Sequence, residues 1–249
     1  MSLVRTNGIV IKIVNTGEAD RILTVFTGTH GRLQAAAKGA RRPKNKLMPG
    51  TQFLCYSDFV LFKGRTLYSV NSSEPIETFF ELRNDIVRLT HASYMADLIF
   101  DSIQEEQPSP SILSLFLNSL YILNKSEKLP SLITRTFELR LLSELGFAPA
   151  ADACGDCGKA PEESVFFSFR KGTVLCTSCA NSSEGDIPIR QGTYKAMQHI
   201  IYSKPEELFK FELTPVILDE LGRLIDRLLC DTMDKKYKKL DYLKCLELD

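Results

Sequence analysis

The stretch GIVIKIVNTGEADRILTVFTGTHGRLQAAAKGARRPKNK, running from Gly8 to Lys46, decides how the first third of this chain folds. Val10 to Val14 is apolar and largely β-branched apart from Lys12, and Asn15-Thr16-Gly17 has the composition of a tight turn. Arg21 to Thr27 repeats the pattern with Ile22, Leu23, Val25 and Phe26, Gly28-Thr29-His30-Gly31 turns the chain again, and Arg32 to Lys38 makes a third strand. Beyond the basic connection, Phe53 to Lys63 and Leu67 to Val70 supply two more, joined at Gly64-Arg65. Five strands with no long helix among them predict a small closed β-barrel. A five-stranded Greek-key barrel of the OB-fold type suits this length, and an SH3-like barrel fits the pattern nearly as well.

The end of that stretch carries charge. Lys38-Gly39-Ala40-Arg41-Arg42-Pro43-Lys44-Asn45-Lys46 holds five cations in nine residues and no acid. Gly39 and Pro43 keep it out of regular structure, so Lys38, Arg41, Arg42, Lys44 and Lys46 sit on a loop that can mould to a phosphate backbone. Five contacts to a single strand would give a log–log salt slope of about −3.5. An isolated basic run is equally an ordinary solvated loop. Placement on an OB barrel, which pairs a basic groove with aromatic side chains, favours nucleic acid. Phe53, Tyr56, Phe59, Phe62 and Tyr68 are the nearby aromatics, most of them expected in the core. The whole chain balances 31 basic against 31 acidic residues, but residues 1–77 hold eleven basic and five acidic ones, leaving twenty and twenty-six to the remainder. Such asymmetry suggests that the first segment meets a polyanion.

From Thr78 the period changes to that of helices. Thr78-Phe79-Phe80-Glu81 has capping-box spacing, and Leu82, Ile86, Leu89, Met95, Leu98, Ile99 and Ile103 carry a stripe up to the breaker Gln107-Pro108-Ser109-Pro110. Ser111 opens a second, largely buried helix, and Ser131 a third, with Gly146 placed as its terminator. Thr193 to Tyr202 and a long helix after Thr214-Pro215 follow. Residues 1–78 are thus expected to form the barrel domain, 79–149 and 183–249 a helical domain, and 150–182 a lobe inserted into it. The fold class is multidomain α+β.

That lobe is marked by Cys154-Gly155-Asp156-Cys157 and Cys176-Thr177-Ser178-Cys179. Two Cys-x-x-Cys pairs at this spacing are the signature of a four-thiolate zinc site, with Cys154, Cys157, Cys176 and Cys179 as ligands of one structural ion. Between the pairs, Val165, Phe167 and Phe169 alternate with Phe166, Ser168 and Arg170, Lys171-Gly172 turns, and Thr173-Val174-Leu175 returns, which reads as a hairpin. Four soft ligands leave no open position, so the ion is expected to stabilise rather than to activate water. Cys55, Cys230 and Cys245 read as packing residues.

Catalytic patterns are missing from the sequence. It has no phosphate loop of the GxxxxGK[ST] type, no GxGxxG, no HExxH and no HxE joined to a cysteine motif. His30, His91 and His199 stand in no nucleophile or metal frame. The chain is therefore expected to be no enzyme. The N-terminus lacks a secretory pattern and no apolar run approaches a membrane span, so a cytoplasmic protein without membrane contact is expected. A second basic cluster, Lys235-Lys236-Tyr237-Lys238-Lys239, closes the last long helix, where the helix dipole favours cations; contact with phosphates or an acidic peptide is the functional alternative.

Several of these segments together resemble a known family. Gly8-Ile9-Val10, Gly17-Glu18-Ala19-Asp20-Arg21-Ile22, Val25-Phe26-Thr27, His30-Gly31-Arg32-Leu33 and Ala37-Lys38-Gly39-Ala40-Arg41-Arg42-Pro43-Lys44 look like the N-terminal signature of the bacterial recombination mediators of the RecO family. Thr136 to Leu142 with Leu145-Gly146-Phe147, the cysteine pairs, and Lys239-Leu240-Asp241-Tyr242-Leu243 match in family order. The resemblance implies a non-enzymatic DNA repair and recombination protein of the DNA damage and SOS responses, associated with the nucleoid. It implies binding of single- and double-stranded DNA, annealing of complementary strands, a complex with RecR, and help to RecA in replacing single-strand binding protein on gaps. Carried onto this chain, it makes Lys38, Arg41, Arg42 and Lys44 the DNA contacts, with Arg21 and Lys46 beside them. Recruitment by the acidic, hydrophobic-ended tail of single-strand binding protein points to Arg135 as the partner of that tail's carboxylate. The alternative from another class is a zinc-ribbon adaptor binding structured RNA or a ribosomal surface.

Overall fold

The computed structural model describes residues 2–162 and 164–245, and the side chains of Lys244 and Cys245 lie outside that description. The chain forms two compact units, Met1–Ser126 with Lys239–Asp249, and Glu127–Lys238.

Unit 1 is built on β1 (Leu3–Thr16), β2 (Asp20–Thr27), β3 (Gly31–Ala37), β4 (Tyr56–Lys63) and β5 (Tyr68–Glu77). They close a barrel in the order β1-β2-β3-β5-β4, antiparallel everywhere except where β3 meets β5 at Ala35–Tyr68 and Ala36–Ser69. That closure is the OB-fold topology. Val10, Leu23, Val25, Leu33, Ala35, Ala37, Phe59, Leu61 and Val70 fill the interior. Val10 and Ile13, three positions apart, both face inward because a bulge between Val10 and Lys12 inserts a residue into β1. β1 also outruns the Val10–Val14 segment expected from alternation, because Leu3 to Ile9 pair with β4 from Phe62 to Tyr56. β4 starts at Tyr56 rather than Phe53, since Leu54 takes φ +60 and the chain is still turning.

The helices of this unit are α1 (Ile86–Ser102) and α2 (Pro110–Lys125). The capping box expected at Thr78 does not form. Instead the Glu77 carboxylate accepts the N–H groups of Thr78 and Phe79 at 2.8 and 2.9 Å, Phe79 adopts φ +46 with its ring buried, and a short 3-10 turn runs from Phe80 to Asn84. Asp85 then caps α1, its carboxylate accepting from Val87 and Arg88 N–H at 2.9 and 3.0 Å. Both helices belong to the barrel's unit, whereas the boundary expected at 78/79 set them apart from it. The ties are specific: the Ser109 N–H donates to Gly28 O at 3.0 Å, and Arg32 lies over the Phe100 ring at 4.5 Å. The returning tail joins this unit through Lys239, which pairs with Asp97 at 2.5 Å and donates to Ser93 O at 3.2 Å, and through Leu243, which is fully buried.

Unit 2 packs α3 (Pro130–Glu144), α4 (Gln191–Tyr202) and α5 (Pro215–Met233) around Ile133, Phe137, Leu141, Ile200, Leu221 and Ile225. Gly146 ends α3 as expected: with φ +85 it lets Phe147 N–H reach Leu142 O at 2.8 Å and donates its own N–H to Ser143 O at 3.0 Å. Inserted between α3 and α4 is the hairpin β6 (Val165–Ser168) and β7 (Thr173–Cys176), turned at Gly172 with φ +62. A third strand, β8 (Ile187–Ile189), pairs with the free side of β6. A short α6 (Asp241–Cys245), which belongs to unit 1, closes the described chain.

Candidate nucleic-acid interface and metal centre

The cationic connection follows β3, and its centre is anchored in the barrel. Ala40 is fully buried in the core, while Lys38, Arg41, Arg42, Lys44 and Lys46 around it are exposed. The alternation of one buried alanine among cations forces every charge outward. The connection lies outside helix and strand, as Gly39 and Pro43 imply, and hydrogen bonds tie it down along its length. The Gly39 N–H donates to the Asp20 carboxylate at 2.7 Å, the Arg41 N–H to Ala19 O at 3.0 Å, and Asn45 Nδ2 to Lys38 O at 3.2 Å. Successive turns at Arg42, Asn45 and Met48 continue it, and the Thr51 hydroxyl donates to Leu47 O at 2.7 Å. Asp20, the pin, lies across the β1–β2 turn. Among the described residues, none of the five cations forms an ion pair with an acid. Their charge is left for an external anion.

Arg21 is placed differently. It is half-buried, donates to Thr51 O at 3.4 Å, and burial and then the neighbouring Arg41 hold its pKa below the usual arginine range. It supports the connection from below. Of the nearby aromatics only Phe59 is fully in the core; Tyr56, Phe53 and Tyr68 are half-buried, and Phe62 is exposed on the outer face opposite Leu3.

In unit 2 the structure brings the four expected cysteines together, with all four sulfur atoms within 4.8 Å of one another and Cys157 Sγ 3.7 Å from Cys176 Sγ. A tetrahedral ion with metal–sulfur bonds of about 2.3 Å needs sulfur separations of about 3.8 Å. The donor set therefore fits a metal ion. Each knuckle is a turn closed by backbone bonds: Gly158 N–H to Cys154 O at 2.8 Å with φ +71, and Cys179 and Ala180 N–H to Cys176 O. A Cβ on Gly155 would lie 2.4 Å from Thr173 Cγ2, so the first knuckle sits flush against β7. Asp156, inside that knuckle, pairs with Lys171 of the hairpin turn at 2.7 Å. The Ser178 hydroxyl, 3.1 Å from Cys176 Sγ, helps pull that thiol down to about 6, while Cys179 is pushed up to about 12 by its contact with Cys176.

Arg135 is committed inside unit 2. Its guanidinium meets the Glu138 carboxylate at 2.9 Å and the Asp226 carboxylate at 2.6 and 3.3 Å, and it packs under Gly222 of α5. Although burial opposes it, these two acids hold its pKa above the usual range. A tail carboxylate would have to compete with Asp226. The second basic cluster also differs from expectation: α5 ends at Met233, Asp234 takes φ +48, and the lysines lie beyond the helix, with Lys239 engaged by Asp97. The histidines are apart from the thiols: His30 Nδ1 meets Thr29 Oγ1 at 2.8 Å, His199 Nε2 meets Glu207 O at 3.1 Å, and His91 is buried in α1.

Fold and site thus define an OB-barrel protein whose second unit carries, on a small hairpin lobe, a four-cysteine cluster that could hold a metal ion. Residues 1–79 match the family described as Recombination protein O N terminal, and residues 83–241 the family described as Recombination protein O C terminal. Over 247 residues the chain is 49% identical to the DNA repair protein RecO of Acetivibrio thermocellus, covering 99% of this chain and 98% of that protein. It is 35% identical over 233 residues to the DNA repair protein RecO of Alkaliphilus metalliredigens, covering 94% and 95%. The chain belongs to the RecO family, and its role lies in DNA repair and recombination. No described helix is long and apolar enough to cross a membrane.

Proposed function

We propose that this protein binds single- and double-stranded DNA through the β3–β4 connection, anneals complementary strands and, in complex with RecR, helps RecA replace single-strand binding protein on gaps. The observation that carries this reading is the row of five exposed cations without acidic partners, held on an OB barrel by Asp20 and Asn45. Annealing requires that two mutually repelling backbones approach each other. Neutralising phosphates without reading base edges achieves that without nucleotide hydrolysis, so the protein acts without catalytic turnover. Lys38, Arg41, Arg42, Lys44 and Lys46 contact phosphates, and Arg21 positions the connection that carries them. One zinc ion held by Cys154, Cys157, Cys176 and Cys179 stabilises the lobe and takes no part in the strand chemistry. The tail of single-strand binding protein docks on unit 2 with Arg135 only if it displaces Asp226. The protein works in the cytoplasm, on the nucleoid.

The test is annealing of complementary oligonucleotides coated with single-strand binding protein, followed by fluorescence with and without this protein. Acceleration is expected, and its absence overturns the reading. Competition of single-stranded DNA against double-stranded RNA at one salt concentration separates it from an RNA adaptor.

A further inference from the structure

A second pair of cations, Lys63 and Arg65, stands at the β4–β5 turn, and both are exposed. Arg65 has no ion pair among the described residues. Lys63 Nζ lies 3.2 Å from the Glu106 carboxylate, which reaches it from the connection between α1 and α2. That connection is laid on the barrel: the Arg32 N–H donates to Gln104 O at 3.2 Å, Glu105 bridges to Gly31 and Arg32, and Gln34 donates to the Glu105 carboxylate at 3.2 Å. The approach is so close that a Cβ on Gly31 would lie 2.5 Å from Gln107 O and 2.6 Å from Gln104 O. Glu106 itself holds φ +60, a region uncommon for a residue with a Cβ.

Two acids therefore cover part of the β3 face and the β4–β5 turn, which in OB folds are surfaces that take oligonucleotides. We propose that Lys63 and Arg65 form a second phosphate-binding site of the barrel, masked by Glu106, whose carboxylate stands where a nucleic-acid phosphate sits when DNA is bound. This rests on the DNA-binding reading given above. An anionic oxygen facing an ammonium group is what a phosphate presents, and Glu106 is not locked in place. Its side chain is 71% exposed and that of Lys63 51%, a setting in which an ion pair is weak and readily exchanged. The Glu105 carboxylate, one residue earlier, is engaged by Gln34 and leaves Lys63 free.

The experiment is fluorescence anisotropy of a labelled oligothymidylate with the full chain across a salt series. Glu106→Gln is expected to tighten binding roughly two- to fivefold, the worth of an exposed ion pair. Because the phosphate takes the place of Glu106 in the wild type too, the log–log salt slope should be shared by wild type and Glu106→Gln, and Lys63→Ala should flatten it by about 0.7, one contact fewer. In a Lys63→Ala background the same change should have no effect. Glu105→Gln, which removes equal charge next door, is the control. Equal tightening by Glu105→Gln, or tightening by Glu106→Gln that persists without Lys63, overturns the masking. If the wild type binds and Glu106→Gln binds identically, this inference alone falls; if no form binds DNA, the proposed function falls with it.

Discussion

Glu220 of α5 caps α4 at Arg190: one carboxylate oxygen accepts the Arg190 backbone N–H at 2.9 Å and the other meets its guanidinium at 2.6 Å. The Thr193 hydroxyl donates to the same group. A helix N-terminus leaves N–H groups without partners, and a capping box usually supplies the carboxylate from within the helix. Here it arrives from a helix nearly thirty residues later, so the cap and the α4–α5 packing form together. Burial pushes the Glu220 carboxyl up, but the bonds from Thr193 and Arg190 more than offset this and hold it below the usual range. Because the folded-state pKa is depressed, the stabilisation is full above about 4.5, the unfolded value, and is lost as pH falls through the lower folded value. Glu220→Gln should lower stability at pH 7 by about 2 kcal/mol and flatten the acid limb of a stability–pH profile below about pH 4.5. Thermal denaturation at stepped pH checks both, and an acid limb as steep as that of the wild type would refute the role.

Arg41→Ala with Arg42→Ala should weaken single-strand binding and flatten the salt slope by about 1.4, at about 0.7 per lost contact. The fold should persist because both side chains are exposed and neither is ion-paired; the one bond lost is from Arg41 Nη1 to Glu18 O at 3.2 Å. An unchanged slope in a salt titration rules the connection out as a phosphate contact.

Asp20→Ala leaves the five cations in place and removes the acceptor of the Gly39 N–H. Binding should weaken although a negative charge has been taken away, because the cations lose their fixed spacing. Simple electrostatics predicts the opposite sign, so tighter binding in an anisotropy titration would show that the pinning is unimportant.

Removal of metal by a chelator, or Cys154→Ser, should unfold the lobe over 150–182 while the barrel persists. Metal analysis should find one zinc per chain, and amide exchange should show loss of protection across β6 and β7. Unchanged thermal stability after complete metal removal would contradict a structural role.

Arg135→Ala should destabilise unit 2 by about 3 kcal/mol, since Glu138, with no exposed surface, loses a cationic partner at 2.9 Å. Loss of binding to a single-strand-binding-protein tail peptide in this variant is therefore not evidence of contact. Asp226→Asn is the informative change: it frees one side of the guanidinium and should tighten peptide binding if Arg135 receives the tail. Unaltered affinity by calorimetry would exclude Arg135.

Alternation and turn composition made the barrel legible, because each strand has one face in the core. They failed where one face does not decide. The β1 bulge breaks the period, the outer half of β5 is polar, and β8 is three residues with a proline on an edge. The start of α1 lies later than the capping-box spacing at Thr78 suggests, because the Glu77 carboxylate holds the Thr78 and Phe79 N–H groups and Phe79 takes φ +46, which turns the chain before the helix can begin. The cysteine set was readable because metal ligation imposes its spacing on the chain. The hydrogen bond that pins the cationic connection and the engagement of Arg135 were not, since Asp20 and Asp226 lie far from them in sequence. The place of Glu105 and Glu106 on the barrel depends on the close approach of the chain at Gly31, which no local sequence pattern announces.

Unit 2 interrupts unit 1: the chain leaves the barrel's unit after Ser126 and re-enters it at Lys239. During synthesis the unit that carries the four cysteines has therefore emerged from the ribosome before the lysine that grips Asp97, and the buried Leu243, become available to the barrel's own unit. The unit that carries the cationic connection is therefore begun before unit 2 and continued after it, and a nascent chain halted before Lys239 would carry those cations on a unit that lacks the Lys239–Asp97 pair.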